Sequence, residues 1–462
     1  MATQSTQIAK NLASFVAQTP SEQIPRAVTD YAQRAVADTV AVAVAGRNEP
    51  AATILDATLP RPHPDEAGSS IWATGQRWDA ADAALLNATA GHALDYDDVA
   101  EHIHGHPSVV LVPALLAVAE PIGAKGRDIL DAYAVGFEVQ AALGAGMDLR
   151  RHFARGWHST SSIAGIGGAV AVCRLLGATV EEIEVAIAIA VSMAGGSREN
   201  FGTMAKPLHA GLAARNAVLA ARLAMGGYTG ATTIIEGPAG YFSMFYPDEP
   251  DLDAVLESIA SPWQILRSGL SIKRYPCCYN TGRLARAALD VHERYAPRPD
   301  DVAGVTITLE PGGLDPLIYH RPTTGLEGKF SGELVAASAF VDGTLGFDTF
   351  TDPAVRRSEV AQLVARTRIE ESAVPPQGEA SWDEGYATVA VELRDGTRRT
   401  ARVDDPPGHW RNPMSGPELR QKVADCFHHG GVAASPDDFV DEVNLLEQAT
   451  FTGFSTLYTS TS

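Results

Sequence analysis

The sequence predicts a mainly α fold with an α+β insert: a large all-helical domain whose chain is interrupted by a smaller α/β domain. Three observations carry this. Apolar positions recur at helical spacing through most segments between residues 8 and 225. Period-two alternation is confined to residues 305–309 and 387–403, with helical stretches between. Helical spacing then returns over residues 415–446. The domains expected are residues 1–266, an insert over 267–404, and a C-terminal return over 405–462 that rejoins the first.

Composition narrows the function. The chain has 462 residues, 45% of them hydrophobic and 20% charged, which is enough for a sizeable core. A formal net charge of -20 argues against nucleic acid and anionic membrane as partners. An anionic substrate then needs a local basic pocket. Four cysteines, two of them adjacent at Cys277 and Cys278, show neither a disulfide framework nor zinc or iron–sulfur spacing. A basic n-region followed by an apolar run is missing from the first residues, and no uninterrupted apolar stretch is long enough to span a bilayer. The expectation is a cytoplasmic protein.

Helices are expected over residues 8–16, from Pro20-Ser21 to Gly46, and over 51–59. The piece SSIWATGQRWD reads as a loop or short strand, and Asp79 or Asp82 can cap a helix over 83–93. Further helices fall at 109–120, 128–144, 162–176 and 180–193. Gly165-Ile166-Gly167-Gly168 has no strand before it, so it reads as close helix–helix packing rather than a phosphate loop. The stretch from 195 to 227 is the organising one. It delivers Lys206 and His209 to the start of a long helix, with Pro207 at the first helical position and Leu208, Leu212, Leu219 and Leu223 at helical spacing. A cation and an imidazole then sit where free amides already favour an anion.

Chemistry-bearing residues concentrate in HALDYDDVAEHIHGHPS, where Asp95, Asp97, Asp98, Glu101, His102, His104 and His106 fall close together. Asp95 and His106 suit a carboxylate–imidazole pair for acid–base work. Divalent-metal ligation and a solvated acidic loop are the other readings of the same residues. His158 follows Gly156-Trp157 at the start of a helix, beside Ser159 and Thr160. Later, Ser271–Cys278 puts Lys273 and Arg274 at a strand end before a helix over 281–295. Within the insert, 305–309, 387–393 and 398–403 read as strands, the last two joined by an Asp395-Gly396 hairpin turn. Residues 330–340 and 355–364 read as helices. In the return, 415–429 and 436–446 are helical.

Four of these stretches, HALDYDD with the following HPS, GWHST, AKPLHAGLAARNA and KRYPCC, together resemble the MmgE/PrpD family, in order and at sensible spacing. The likeness runs from the N-terminal LASF and IP segments past EGKFSGELVAASAFVDG. The family includes 2-methylcitrate dehydratase, cis-aconitate decarboxylase and iminodisuccinate epimerase. The resemblance implies a helical domain with an α/β lid, a homodimer, and neither a metal nor an organic cofactor. It places Asp95, His106, His158 and Lys206 among the catalytic groups and Lys273 in the lid. A family lid histidine, the last residue of a Thr-His pair, corresponds here to Gly282 after Thr281, which departs from the decarboxylase pattern.

Each of those activities works at a carbon next to a carboxylate, so the expected substrate is a small di- or tricarboxylate. His106 and His158 are the candidates for base and acid, and Asp95 would orient one imidazole. Lys206, Lys273 and Arg274, with His209 and Tyr275, would hold carboxylates, and lid closure would bring Lys273 and Arg274 to the substrate. The reaction expected first is a 2-methylcitrate dehydratase-like hydration–dehydration. Epimerisation of an iminodisuccinate-like substrate, decarboxylation, or a catalytically silent carboxylate-binding protein are the alternatives.

Overall fold

A computed structural model describes residues 7–60, 68–377 and 385–458. The chain divides into two units. One holds the residues up to Glu199, Met204–Ile272 and the stretch from Ser415 on; the other holds Asn200–Thr203 and Lys273–Met414. The sequence reading places the two main junctions at 266/267 and 404/405. The observed division falls at Ile272/Lys273 and Met414/Ser415, and a short excursion at Asn200–Thr203 belongs to the mixed unit.

The helical unit begins with α1 (Ile8–Gln18), α2 (Arg26–Gly46) and α3 (Pro50–Thr58), then a short hairpin of β1 (Ser69–Ser70) and β2 (Arg77–Trp78). It continues with α4 (Ala80–Ala93), α5 (Ser108–Ile122), α6 (Gly126–Ala145), α7 (Leu149–Ala154), α8 (Ser159–Ser162), α9 (Ala164–Leu176), α10 (Val180–Ser192) and α11 (Ala205–Met225). Short helices α12 (Tyr241–Phe245), α13 (Leu252–Glu257) and α14 (Gln264–Arg267) follow. The mixed unit contains α15 (Gly282–Tyr295), β3 (Val302–Leu309), α16 (Gly325–Gly328), α17 (Gly332–Asp342), α18 (Asp352–Val355), α19 (Ser358–Val364), β4 (Thr367–Glu371), β5 (Ala387–Leu393) and β6 (Arg398–Val403). The return supplies α20 (Gly416–His429) and α21 (Pro436–Asn444) to the helical unit.

The core of the helical unit is built from small and β-branched residues. α5 is buried from Ser108 to Glu120, and α2 from Ala35 to Gly46. α4 packs on α2, α5 and α11, while α9 packs on α5, α6 and α11. A Cβ added at Gly167 would lie 2.3 Å from Gln140 Cγ, so this glycine permits the close approach of α9 to α6. That is the packing role read for the Gly165–Gly168 run. The stretch Ser159–Leu176 passes for a membrane span by length and composition only, and it opens on four hydroxyl residues. It is 83% buried within the fold and is broken at Ile163, as expected of a core element.

Several expectations need correction. α2 starts at Arg26 rather than after Pro20, because Pro20 and Pro25 bracket a single 3₁₀ turn, Ser21–Gln23, and residues before proline avoid helical backbone. α11 starts at Ala205, so Pro207 is its third residue, still among those whose N–H lacks an intrahelical partner. The leucine stripe of α11 does not face the core. Leu212 and Leu219 are both 38% exposed, and the buried side is Ala210, Ala213, Ala214, Ala217, Ala220, Ala221 and Ala224. Alanine brings α11 closer to α4 and α9 than leucine would. Residues 271–278 form no strand; Ser271 makes one isolated antiparallel bridge to Val99.

In the mixed unit the sheet runs in the order β4-β3-β5-β6. β3 pairs parallel with β4 and antiparallel with β5, and the β5–β6 hairpin closes at Asp395-Gly396, with Gly396 at φ +85°. β5 and β6 have the predicted limits. β4 was not foreseen, because Thr367-Arg368-Ile369-Glu370-Glu371 is a charged edge strand without a sheet-face pattern. α15 packs on β5 and β6, and α17 on α15 and β4.

Candidate active site

The site in the helical unit is built where three separate stretches meet. The first leaves α4 at its last turn, which carries His92, and runs through Asp95, Tyr96, Asp97 and Asp98 to His106. The second is the start of α8, where His158 occupies the N-cap position. The third is the first turn and a half of α11, with Lys206 and His209. All seven titratable side chains among them that face one another, His92, Asp95, Asp97, His106, His158, Lys206 and His209, are buried.

Local chemistry sets the backbone of the first stretch. Asp95 adopts φ +51°, a left-handed conformation that costs a side-chain-bearing residue about 1–2 kcal/mol, and its N–H donates to the His92 carbonyl. The hydroxyls beside His158 pin the far end. Ser159 Oγ donates to the His104 carbonyl at 2.9 Å, and Thr160 Oγ1 accepts from the His106 N–H at 3.0 Å. Gly105 fits between them: a Cβ there would lie 3.0 Å from Thr160 N and 3.3 Å from Ser159 Oγ. The serine–threonine pair thus ties the His106 loop to the helix that carries His158.

Asp97, not Asp95, is the hub. His92 Nδ1 donates to the Asp97 carboxylate at 2.8 Å, and His106 Nδ1 stands 3.1 Å from the same oxygen. Asp95 lies farther from His106, at 3.7 Å from Nε2, and accepts instead from Lys206 Nζ at 3.0 Å. The expected pairing of Asp95 with His106 is therefore corrected to a looser contact, and Lys206 is already partnered by a carboxylate. His106 has a carboxylate facing each ring nitrogen. His158 Nδ1 lies 3.1 Å from His209 Nδ1, so one of these rings donates and the other accepts. The His92 and His158 rings stack at 5.6 Å, and His92 meets His106 edge-on at 4.5 Å.

Electrostatics separates the imidazoles. Burial, with Asp97 opposing it and Lys206 adding to it, pushes His92 down to about 3. Burial, the Lys206 ammonium and the neighbouring imidazoles hold His158 well below the ordinary histidine value. Burial and Lys206 bring His209 down to about 4. At neutral pH these three are neutral. Burial works to raise Asp97, yet the His106 and His92 imidazoles overcome it and hold the carboxyl well below its usual range. Next to it, Asp98 is pushed well up by burial and by the Asp38 and Asp97 carboxylates; its Oδ1 accepts from Ser108 N at 3.3 Å.

His209 gives a direct check. Its folded value lies below its unfolded value, so the unfolded chain binds the extra proton between pH 6.5 and about 4, and the stability due to neutral His209 is lost as pH falls through that window. His209→Gln is expected to gain progressively on the parent as pH falls from 6.5 to about 4 and to gain no more below that, measured as the difference in denaturant unfolding free energy. A difference independent of pH would contradict the neutral assignment.

Donor atoms of His92, Asp95, Asp97 and His106 lie within 4.8 Å of one another, close enough to share a divalent cation. The Lys206 ammonium already supplies a fixed positive charge to that group, and the hydrogen bonds present make it an imidazole–carboxylate cluster. Such a cluster can hold a proton at His106 and accept one at His158, with Lys206 at hand for developing negative charge.

Of the predicted site residues, Asp95, His106, His158, Lys206 and His209 come together here. Lys273, Arg274 and Tyr275 belong to the mixed unit. There they line a cavity with Cys278, Gly282 and His409. The sequence reading counts Asp97 among the clustered acids without pairing it to an imidazole, and it does not name His92 as a candidate. The signal was available in the HALDYDD stretch, where a histidine in the last turn of a helix precedes a run of acids that must turn back beside it.

Residues 10–253 match the MmgE/PrpD N-terminal domain and residues 275–443 match the MmgE/PrpD C-terminal domain. The chain is similar to the cis-aconitate decarboxylase of Homo sapiens, with 32% identity over 349 residues that cover 74% of this chain and 71% of the relative. Its similarity to the Mus musculus cis-aconitate decarboxylase is 31% over 356 residues, covering 74% and 70%. The Aspergillus terreus cis-aconitate decarboxylase is 26% identical over 428 residues, covering 87% and 85%.

Proposed function

We propose, from the premise that the chain belongs to the MmgE/PrpD family, that it is a cofactor-independent acid–base enzyme whose substrate is a small tricarboxylate, and that it decarboxylates cis-aconitate or a close analogue. The observation that supports this most is the buried cluster in which His106 faces two carboxylates while His158 is held neutral 3.1 Å from His209. The names of the similar proteins move the preference from a hydro-lyase to a decarboxylase.

The reaction would have to run on these groups without the lid histidine, since Gly282 stands at that position. The bond from the methylene carbon to its carboxylate breaks and releases carbon dioxide. Its electron pair forms a new double bond as the existing one gives up its pair to the far carbon. That carbon, next to a remaining carboxylate, takes a proton. His106 would deliver the proton, and His158 with His209 would return one to the site. Lys206, shared with Asp95, would offset negative charge on the intermediate. His209 would bind a carboxylate beside Lys206.

The 2-methylcitrate dehydratase-like and epimerase readings draw on the same groups and differ in the bond that breaks. Incubation with cis-aconitate, 2-methylcitrate and iminodisuccinate in D₂O, followed by NMR and carbon dioxide detection, separates them. Carbon dioxide with one deuterium on the new methylene supports decarboxylation. Water loss or exchange without carbon dioxide supports the others, and binding without any exchange supports a silent family member. A homodimer in a reducing, cytoplasmic setting belongs to the same reading; all four cysteines are buried and form no disulfide. Mass photometry tests the dimer.

A further inference from the structure

We propose that Lys422 and Asp38 act as a positioning clamp on the acid–base loop, so that the C-terminal return of the chain is part of the catalytic apparatus. Lys422 lies on α20 and Asp38 on α2, and neither side chain is exposed at all. Lys422 Nζ stands 2.6 Å from Asp38 Oδ1 and donates to the Tyr96 carbonyl at 2.9 Å. The same ammonium sits 3.9 Å over the centre of the Tyr96 ring. One cation thus holds both the backbone and the side chain of the residue between Asp95 and Asp97.

Two features make this more than core filling. A buried ion pair is weak support for stability, since well-packed apolar residues of the same volume often serve as well. The loop it grips, however, is strained: Asp95, the residue before Tyr96, has φ +51°, and such a conformation persists only where its surroundings over-determine it. The residue after Tyr96 is Asp97, the carboxylate shared by His92 and His106. A small rotation of the Tyr96 peptide would carry both acids away from their imidazole and ammonium partners.

This inference rests on the acid–base reading for its kinetic arm but not for its structural arm. The test compares the parent with Asp38→Asn/Lys422→Met, which removes both charges and nearly preserves volume, and with Lys422→Arg. Hydrogen–deuterium exchange is followed for residues 94–100 together with kcat and KM on cis-aconitate. The double variant is expected to melt cooperatively, to exchange at residues 94–100 at least tenfold faster while α5 and α9 are unchanged, and to lose tenfold or more in kcat with KM within threefold. Lys422→Arg is expected to recover most of the protection. Parent-like exchange in the double variant overturns the clamp, whatever the kinetics, and faster exchange with unchanged kcat reduces it to a structural element. If the double variant does not melt cooperatively, Asp38→Asn alone is measured; at least threefold faster exchange over residues 94–100 supports the clamp, and unchanged exchange overturns it. Parent protein that turns over no tricarboxylate counts against the proposed function and leaves the exchange result to decide the clamp.

Discussion

Replacing His158 with alanine is expected to lower kcat by about 10²–10⁴-fold, the usual contribution of a positioned acid–base group, while the protein still folds. The argument is geometric before it is electrostatic. His158 stacks on His92, faces His106 at 6.4 Å and shares a hydrogen bond with His209. It is therefore in touch with every other imidazole of the cluster. Burial, with the Lys206 ammonium next in weight, keeps it neutral, and a neutral imidazole at pH 7 can accept a proton without first losing one. The loss should fall on kcat rather than KM, because Lys206 and Asp95 keep their own ion pair when the ring is gone. The fold should survive because the tie between the His106 loop and α8 runs through Ser159 and Thr160, not through the His158 ring. Steady-state kinetics on cis-aconitate and a thermal melt check both halves, and unchanged turnover would take His158 out of the mechanism.

The parts of this molecule that could be read from sequence are those set by local pattern. β5 and β6 alternate and meet at Asp395-Gly396, so their limits follow from side-chain period and turn chemistry alone. A few helices of the first 225 residues carry side-chain caps, as at Asp79, whose side chain accepts from Ala81 N, and at Thr179, which accepts from Glu182 N. Direction was harder than existence. On α11 the leucines suggest a buried stripe, but packing density favours alanine at the tightest contacts and turns the leucines outward. The site was legible in its members and not in its wiring. His106, His158, Lys206 and His209 come from motifs far apart in sequence, and spacing cannot say which acid each imidazole meets. Asp95 looked like the partner because it heads the acidic run. Its left-handed backbone instead turns it toward Lys206 and leaves Asp97 between two rings. Lys422 was invisible as a site residue, since its link to Tyr96 spans 326 residues and nothing local marks it.

The wiring predicts a second large effect. Asp97→Asn keeps the shape of the side chain and removes the charge that His92 and His106 share. Its amide presents an N–H where one imidazole already points a donor, so one ring must change tautomer or turn away. kcat is expected to fall by about 10²-fold or more, because His106 would lose the carboxylate that holds its ring in place for proton delivery. Stability should fall too, since hydrogen bonds to a charged group are worth about 1.5–3 kcal/mol each. The sign of the pH dependence separates this from a packing defect. The folded-state value of Asp97 lies below its unfolded value of 3.8, so its contribution is complete above pH 3.8 and is lost as pH falls toward the folded value. The stability gap between parent and Asp97→Asn should be full at pH 7 and narrow below about pH 4, read by denaturant unfolding at both pH values. Asp95→Asn serves as the contrast: it removes the carboxylate charge that faces Lys206 and leaves the His92–Asp97–His106 contacts in place, so its histidine resonances should stay near those of the parent while those of Asp97→Asn shift. A gap that does not change with pH, or equal shifts of the histidine resonances in the two variants, would show that the carboxylate between the rings is not the one that sets them.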